Sequence, residues 1–296
     1  MLIHTPVLLT EVLAAVPETA RFVMDGTLGH GWHTLKMLEQ MNDKQEVKIV
    51  GVDRDDHMMQ KAKERLQWYE NNVVFFQGSY AELERIKSET KIEQFDFILL
   101  DIGVNMDHFK VAERGFSLKL DGPLDMRFDT STGIPVATRL KSAWYDELQK
   151  IFTEYCDFGE KYVDRITHEL LNRRKKFPLA TTGDMKKRAA ASAISDKKLA
   201  VIFQAFRIFI NKELAELERF LALFPVYLAP GGRCCIISYH SGEDRKVKNA
   251  FKLHEEAGLG KSTTKHVIKP ERKEIQKNKA ARSAKMRIRE RAKNSE

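Results

Sequence analysis

An open α/β fold made of βαβ units and broken once by a helical insertion is predicted from three observations. Short apolar runs alternate with amphipathic segments through the first hundred or so residues. The rhythm stops after Asp101 for about ninety residues. It then resumes with a long apolar-faced helix and the run CCIISY. Strands of four to seven residues separated by helical patterns imply a parallel sheet with helices on its faces.

Each element follows in order. Pro6 and Pro17 bracket a first helical run within HTPVLLTEVL and the residues after it. RFVMD leads to HTLKMLEQM, VKIVGVD to DDHMMQKAKERLQWY, and NVVFFQG to YAELERIKSE, while FDFILLD closes the series. From about His108 to Leu199 the segments AWYDELQKIFTEY and EKYVDRITHELLNRR are helical, and no clear strand is read. Leu214, Leu217, Leu221 and Phe224 then fall on one face of a helix. LAPGGR reads as the connection into the strand CCIISY, and KHVIK as a later strand. The predicted domains are residues 1–107 with 200–296, a basic tail starting near 269, and an inserted helical domain at 108–199.

The 296 residues are 43% apolar and 31% charged, a balance ordinary for a globular chain able to bury a substantial core. No run of about 18 apolar residues occurs, so no membrane span is predicted. The first twenty residues carry Glu11 and Glu18 and lack a basic leader with a continuous apolar core, so an intracellular, cytoplasmic location is expected. Three cysteines, two of them adjacent, offer neither a disulfide framework nor zinc-ligand spacing; no metal is predicted.

Charge is informative once located. From Lys261 onward 13 Lys or Arg stand against 4 Asp or Glu, whereas the preceding 260 residues hold 37 against 38. The whole excess of +8 therefore lies in the tail. Such a tail is either a solvated, mobile end or an arm that binds a polyanion by releasing its counterions.

In open α/β sheets ligands sit beyond the carboxyl ends of the strands. The residues there are Asp25 with Gly29 and Gly31, Asp53, Gly78 to Tyr80, and Asp101. Glycines admit a nucleotide close to the backbone, and a carboxylate after the second strand suits ribose hydroxyls. NAD and S-adenosylmethionine share these needs. A dinucleotide also needs a third glycine and a free helix N-terminus at its pyrophosphate. Here His33 and Thr34 follow Gly31 and Trp32, and D-x-x-x-G-x-G starts at Asp25. The loop therefore favours the phosphate-free donor over NAD.

Several longer stretches add to this pattern: HTPVLLTEVL, DIGVNMDHFKVAERGFSLKLDGPLDMRFD, FQAFRIFINKEL, LAPGGRCCIISYHSGEDRKVK and NKAARSAKMRIRERA. Together, from about residue 3 to 292, they resemble the bacterial family of small-subunit ribosomal RNA (cytosine-N4)-methyltransferases. The resemblance implies a Rossmann-like, S-adenosylmethionine-dependent methyltransferase sheet with an inserted substrate-recognition domain. It also implies, as acceptor, the exocyclic N4 of a cytidine in the decoding region of 16S RNA, within the small ribosomal subunit. Carried over by position, the family's donor contacts fall on Gly31, Trp32, His33, Asp53, Tyr80, Asp101 and His108, which join Asp25 and Gly29 from the strand-end reading as the candidate donor site.

For the chemistry, the amine's proton acceptor is placed at Asp101, with Asn105 just beyond it, and His240, after the fifth strand, is a further catalytic candidate. Asp101 is either the acceptor of the amine proton or a donor-binding group only, and His240 either faces the cleft or bonds within its own loop. Arg127 is either ion-paired between Asp125 and Asp129 or, with Arg114, a guide for a flipped nucleotide. Arg207, Arg245, Arg282, Arg287 and Arg289 are further RNA-binding candidates. The family usually has G-G-H at Gly31-Trp32-His33, Ser-Ser at Asn105-Met106, Leu at Gly242, and A-T-R-T where AVIF stands. These departures motivate a second expectation, an RNA-binding ribosome assembly factor that has lost transfer.

Overall fold

The computed structural model of the protein describes residues 6–41, 46–172, 174 and 176–293. His4 and Thr5, which head the first resemblance stretch, and Arg173 lie outside them. The chain divides into two compact units: one is formed by the chain up to Gly103 and again from Ala215, the other by Val104–Leu214.

The first unit opens with α1 (Leu9–Ala15), then β1 (Phe22–Asp25), α2 (Trp32–Gln40), β2 (Lys48–Asp53), α3 (Asp56–Arg65), β3 (Val73–Gln77), α4 (Leu83–Thr90) and β4 (Phe95–Asp101). The second unit carries α5 (Val136–Ser142), α6 (Tyr145–Tyr155), α7 (Glu160–Leu171), α8 (Thr182–Ala191) and α9 (Asp196–Ile210). After α10 (Glu213–Tyr227) come β5 (Leu228–Ser238), α11 (Ser241–Glu256), β6 (Gly260–Ser262), α12 (Arg272–Lys277) and β7 (Lys285–Arg291).

The strand order is β3-β2-β1-β4-β5-β7-β6. β1 to β5 pair in parallel, whereas β7 runs antiparallel to both β5 and β6. The chain leaves β1 towards β2 on one side and returns to β4 on the other, so the topological switch lies between β1 and β4. A ligand of such a sheet is expected there.

Period-two alternation sends neighbouring residues to opposite faces of the sheet. Val23, Ile49, Phe97, Leu99 and Ile237 join a core with α1, α2 and α3. Met24, Val50, Ile98, Leu100 and Ile236 join another with α4, α10 and α11. The buried leucines 217 and 221 and Phe224 of α10 belong to the second core, as their helical spacing predicts. The helical unit has its own core, in which Leu148 and Phe152 of α6 meet Ile166 of α7, Met185 of α8 and Phe206 of α9.

Three expectations need correction. The second unit runs from 104 to 214 rather than 108 to 199, because α9 is continuous across the expected boundary at 199. LAPGGR is part of β5, not a turn before it: a register shift between Phe95 and Phe97 absorbs its extra residues, and Gly231 adopts φ +76° there. KHVIK is not a strand; Ile268 makes only an isolated bridge to Met286.

The largest departure is the tail. KMRIRER forms β7, an interior strand with Met286 and Ile288 buried in the core beneath α1 and α2. Alternation of apolar with basic residues is a strand pattern that bulk charge conceals.

Candidate active site

The first carboxylate, Asp25, ends β1 and is 1% exposed. Its Oδ2 accepts the Thr34 hydroxyl at 2.7 Å and its Oδ1 the Thr27 N–H at 3.3 Å. Burial raises its pKa, opposed by His33 and these hydrogen bonds, while the nearby Asp101 adds to the rise. Two carboxylates in one poorly hydrated site favour a cation between them.

His33 lies in the first turn of α2. Its Nε2 stands 3.1 Å from the Val7 carbonyl, which only accepts, so Nε2 carries the proton. Burial lowers the His33 pKa, and the Asp25 charge works against that lowering. Nδ1 faces Asp101 Oδ2 at 3.9 Å.

The loop between Asp25 and α2 depends on glycine. Gly29 has φ +51° and Gly31, the N-cap of α2, has φ +75°. A Cβ on Gly31 would also stand 3.0 Å from Leu66 Cδ1. Asp53, at the end of β2, accepts Gly29 N–H at 2.7 Å through Oδ2 and Asp55 N–H at 2.9 Å through Oδ1. Asp53 thus holds the loop from the end of β2, and a carboxylate at that position is of the acceptor type that ribose hydroxyls need.

Trp32 turns away from this economy of side chain. The Arg65 guanidinium lies 3.8 Å from the centroid of its indole ring, and Arg65 also bonds the His30 carbonyl. The ring thus ties α2 to α3. After β3, Tyr80 meets Phe220 edge-on at 5.7 Å. The preceding Ser79 donates its hydroxyl to Glu216, which also pairs with Arg54 at 3.3 Å.

Asp101 ends β4. Its backbone N–H donates to the Thr27 hydroxyl at 2.6 Å, and its Oδ1 accepts the Tyr239 hydroxyl at 2.7 Å. Asp25, His33, Thr27, Asp101 and Tyr239 therefore form one connected polar cluster across the β1/β4 switch.

Other expected residues serve different ends. His240 caps α11, with Nδ1 accepting the Glu243 N–H at 3.4 Å and the Glu243 carboxylate accepting from the backbones of Tyr239 and His240. His240 Nε2 is only 2.9 Å from Glu243 Oε1, yet the approach is out of line for a hydrogen bond. Bonding within its own loop is thus the role the structure supports. Asn105 Oδ1 caps a short 3₁₀ turn by accepting Asp107 N–H, and His108 packs between Phe116 and Phe128 in the helical unit.

The arginines divide sharply. Arg114 donates to the Arg127 and Phe128 carbonyls, Arg127 forks onto Asp125, and Arg207 forks onto Glu213. Arg287 pairs with Asp244 at 2.8 Å. Arg289, 1% exposed, donates to the Phe251 carbonyl from inside the sheet unit, so burial removes it from the RNA-binding candidates. Of the seven candidate arginines only Arg245 and Arg282 have exposed side chains.

Sequence reasoning missed Thr27, Thr34, Glu216, Tyr239 and Glu243. The spacing from His240 to Glu243 is that of a capping box, a signal open to reading. Tyr239 follows β5 directly and falls under the same strand-end rule as the acids. Thr27 and Glu216 gave no signal, since each acts through a contact distant in sequence.

The sequence profile of the MraW methylase family matches residues 1–292. Ribosomal RNA small subunit methyltransferase H of Dictyoglomus turgidum is 37% identical over 296 residues, covering 98% of each chain. The protein of that name from Ehrlichia canis is 34% identical, covering 96% of this chain and 98% of its own. The one from Gemmatimonas aurantiaca is 37% identical, covering 96% and 94%. With the parallel sheet and its carboxylates at the strand ends, these matches establish that the chain belongs to the MraW methylase family and is a methyltransferase.

Proposed function

We propose that the protein methylates the exocyclic N4 of a cytidine in the decoding region of 16S ribosomal RNA, with S-adenosylmethionine as donor. The observation that carries this reading is the polar cluster at the β1/β4 switch, where Asp25 and Asp101 are brought together beside a glycine loop held by Asp53. It fits the donor chemically. The paired acids suit a ligand bearing a sulfonium and an ammonium, the Asp53 carboxylate suits a ribose, and the loop makes no provision for pyrophosphate. When bound, the donor supplies an electrophilic methyl group.

The chain's part is to orient a weakly nucleophilic amine and to take its proton. As the nitrogen gains the methyl group it sheds one proton, and Asp101 is the acceptor in this reading. Asn105 belongs to the segment directly after Asp101, where it shapes the backbone. Asp25, Gly29, Gly31, His33, Asp53 and Tyr80 build the donor side. The helical unit, Val104–Leu214, recognises the substrate, and Arg245 and Arg282 supply exposed positive charge for RNA. Trp32 enters through its packing on Arg65, and His108 through the aromatic cluster of the helical unit.

Among the described residues no helix is long and apolar enough to cross a membrane. Action on a ribosomal subunit in the cytoplasm is part of the same proposal. Nucleoside mass spectrometry of small-subunit RNA from cells with and without the protein tests it. N4-methylcytidine present only with the protein is the expected result. Equal amounts in both, with RNA binding retained and no donor binding by calorimetry, would instead identify a transfer-deficient assembly factor.

A further inference from the structure

The near-neutral balance of the chain ahead of the tail hides an uneven split. From Arg165 to Arg188, through the second half of α7, the connection after it and most of α8, 8 Lys or Arg stand against 2 Asp or Glu. Both acids are half-buried and engaged. Glu169 Oε2 accepts the Ser192 hydroxyl at 2.8 Å, and Asp184 Oδ2 accepts the Ala180 and Thr181 N–H groups at 3.1 and 3.0 Å in the cap of α8. Among the described residues of the stretch, every exposed Lys, Arg, Asp or Glu is a cation: Arg165, Lys176, Lys186 and Lys187. Asp121 reaches α8 from outside the stretch and accepts the Gly183 N–H at 2.7 Å.

Two half-buried arginines add to this charge. Arg174 donates to the Leu140 carbonyl at 3.2 Å and to the Ala143 carbonyl, while Arg188 donates to the carbonyls of Glu169 at 2.9 Å, Phe177 at 3.1 Å and Asn172. A carbonyl accepts a hydrogen bond but carries no net charge, so these bonds leave the guanidinium charge standing, unlike the forks of Arg127 and Arg207 onto carboxylates. The same bonds clasp the connection against the α5–α6 junction on one side and α8 on the other. Two large rings stand there in water. Trp144, next to Ala143, is 78% exposed, and Phe177 is 51% exposed with Lys176 Nζ 5.6 Å from its ring centroid. Exposed rings among cations of one sign are the composition of a single-strand nucleic-acid surface, where base faces stack on aromatics and phosphates meet the charges. An acidic protein would use the cations and leave the rings in water.

We propose that the α7–α8 connection, α8 and the adjoining Trp144 form a docking surface for single-stranded ribosomal RNA, with Trp144 stacking an unpaired base and Lys186 and Lys187 meeting phosphates. This rests on the reading of ribosomal RNA as substrate, and it assigns the place where the helical unit grips it. Phosphate contacts and sequence-tolerant stacking hold the RNA without specifying the base to be modified.

Lys186→Gln/Lys187→Gln removes two exposed charges, and Trp144→Ala removes one ring. Affinity of the full chain for 16S RNA is measured over a salt series. The slope of log affinity against log salt should fall by about two in the lysine variant, and affinity should drop about tenfold in Trp144→Ala with the slope kept. Donor Kd by calorimetry and the unfolding midpoint should match wild type in both. Lys63→Gln/Lys91→Gln removes the same charge from exposed positions of the sheet unit and should leave the slope unchanged. An equal fall in that control would make net charge the cause and overturn the proposal. So would an unchanged slope in the lysine variant or an unchanged affinity in Trp144→Ala, either of which returns the face to solvent or to an acidic protein. N4-methylcytidine formed by the wild type on small subunits separates the two readings. Methylation beside an unchanged slope in the lysine variant removes only this surface, whereas no methylation beside the expected losses of RNA affinity removes the proposed reaction and leaves the surface.

Discussion

The donor loop and the C-terminal strand are both rich in charged or polar residues, yet the fold uses them in opposite ways. At the ends of β1, β2 and β4 the carboxylates lie where the strands stop, and they converge on one site. In β7 the cations occur along the strand itself: Arg287 is tied to Asp244 and Arg289 is sealed against the Phe251 carbonyl. What a charged residue does thus depends on whether it sits at the end or in the body of an element. Bulk charge, which places the whole excess in the tail, is blind to that distinction.

The sharpest way to break the comparison is at Arg289. Replacing it with Ala removes buried packing and leaves the Phe251 carbonyl without its donor, at a cost of about 3 kcal/mol. Urea unfolding should show that loss, whereas an RNA-binding role would leave stability unchanged and lower only affinity for the nucleic acid. Trp32→Gly probes the other region. It removes the stack on Arg65 and puts a glycine in the first turn of α2, together about 2 kcal/mol. Donor affinity by calorimetry should remain within about twofold, because the side chain packs on α3; a large loss of affinity would show the indole at the donor.

A smaller effect is expected at Asp244. Burial alone would raise its pKa, but hydrogen bonds from Arg287 and Lys285 outweigh burial and leave it lowered. A carboxylate with a depressed native pKa stabilises the fold above its unfolded value of 3.8. That stabilisation fades as pH falls below this value and on through the lower native one. Comparing Tm between pH 6 and pH 3 in wild type and Asp244→Asn checks the sign: the difference between them should shrink towards acid pH. A constant difference would mean that the pairing with β7 contributes nothing through charge.

The parallel half of the fold was legible because each βαβ unit announces itself twice, by an apolar run and by the helix that follows. Strand ends then located Asp25, Asp53 and Asp101 without knowledge of their contacts. β7 was hidden because Lys285, Arg287 and Arg289 masked a period-two pattern whose apolar members are only Met286 and Ile288. The arginines of the helical unit leave two readings open in the sequence for a related reason. Pairings such as Arg207 with Glu213 are local enough to read, but whether a fork closes on a neighbour depends on where α9 ends. Thr27 was beyond reach, since its bond to Asp101 spans 74 residues of sequence; the strand-end rule points to Tyr239 but not to its partner 138 residues away.

Arg282 is the control that gives the comparison its force. It lies in the same basic tail as Arg289 and carries the same charge, but its side chain is exposed and precedes β7 rather than forming part of it. Arg282→Ala should therefore leave Tm where it is. If the residue contacts a phosphate, the slope of log affinity for small-subunit RNA against log salt should fall by about one, uniformly across sequences. An unchanged slope would assign Arg282 to solvent and shift the search for RNA-binding charge to Arg245 and the helical unit. Two arginines seven residues apart would then differ entirely in kind, one measured by unfolding and the other by salt, because one lies within a strand and the other before it.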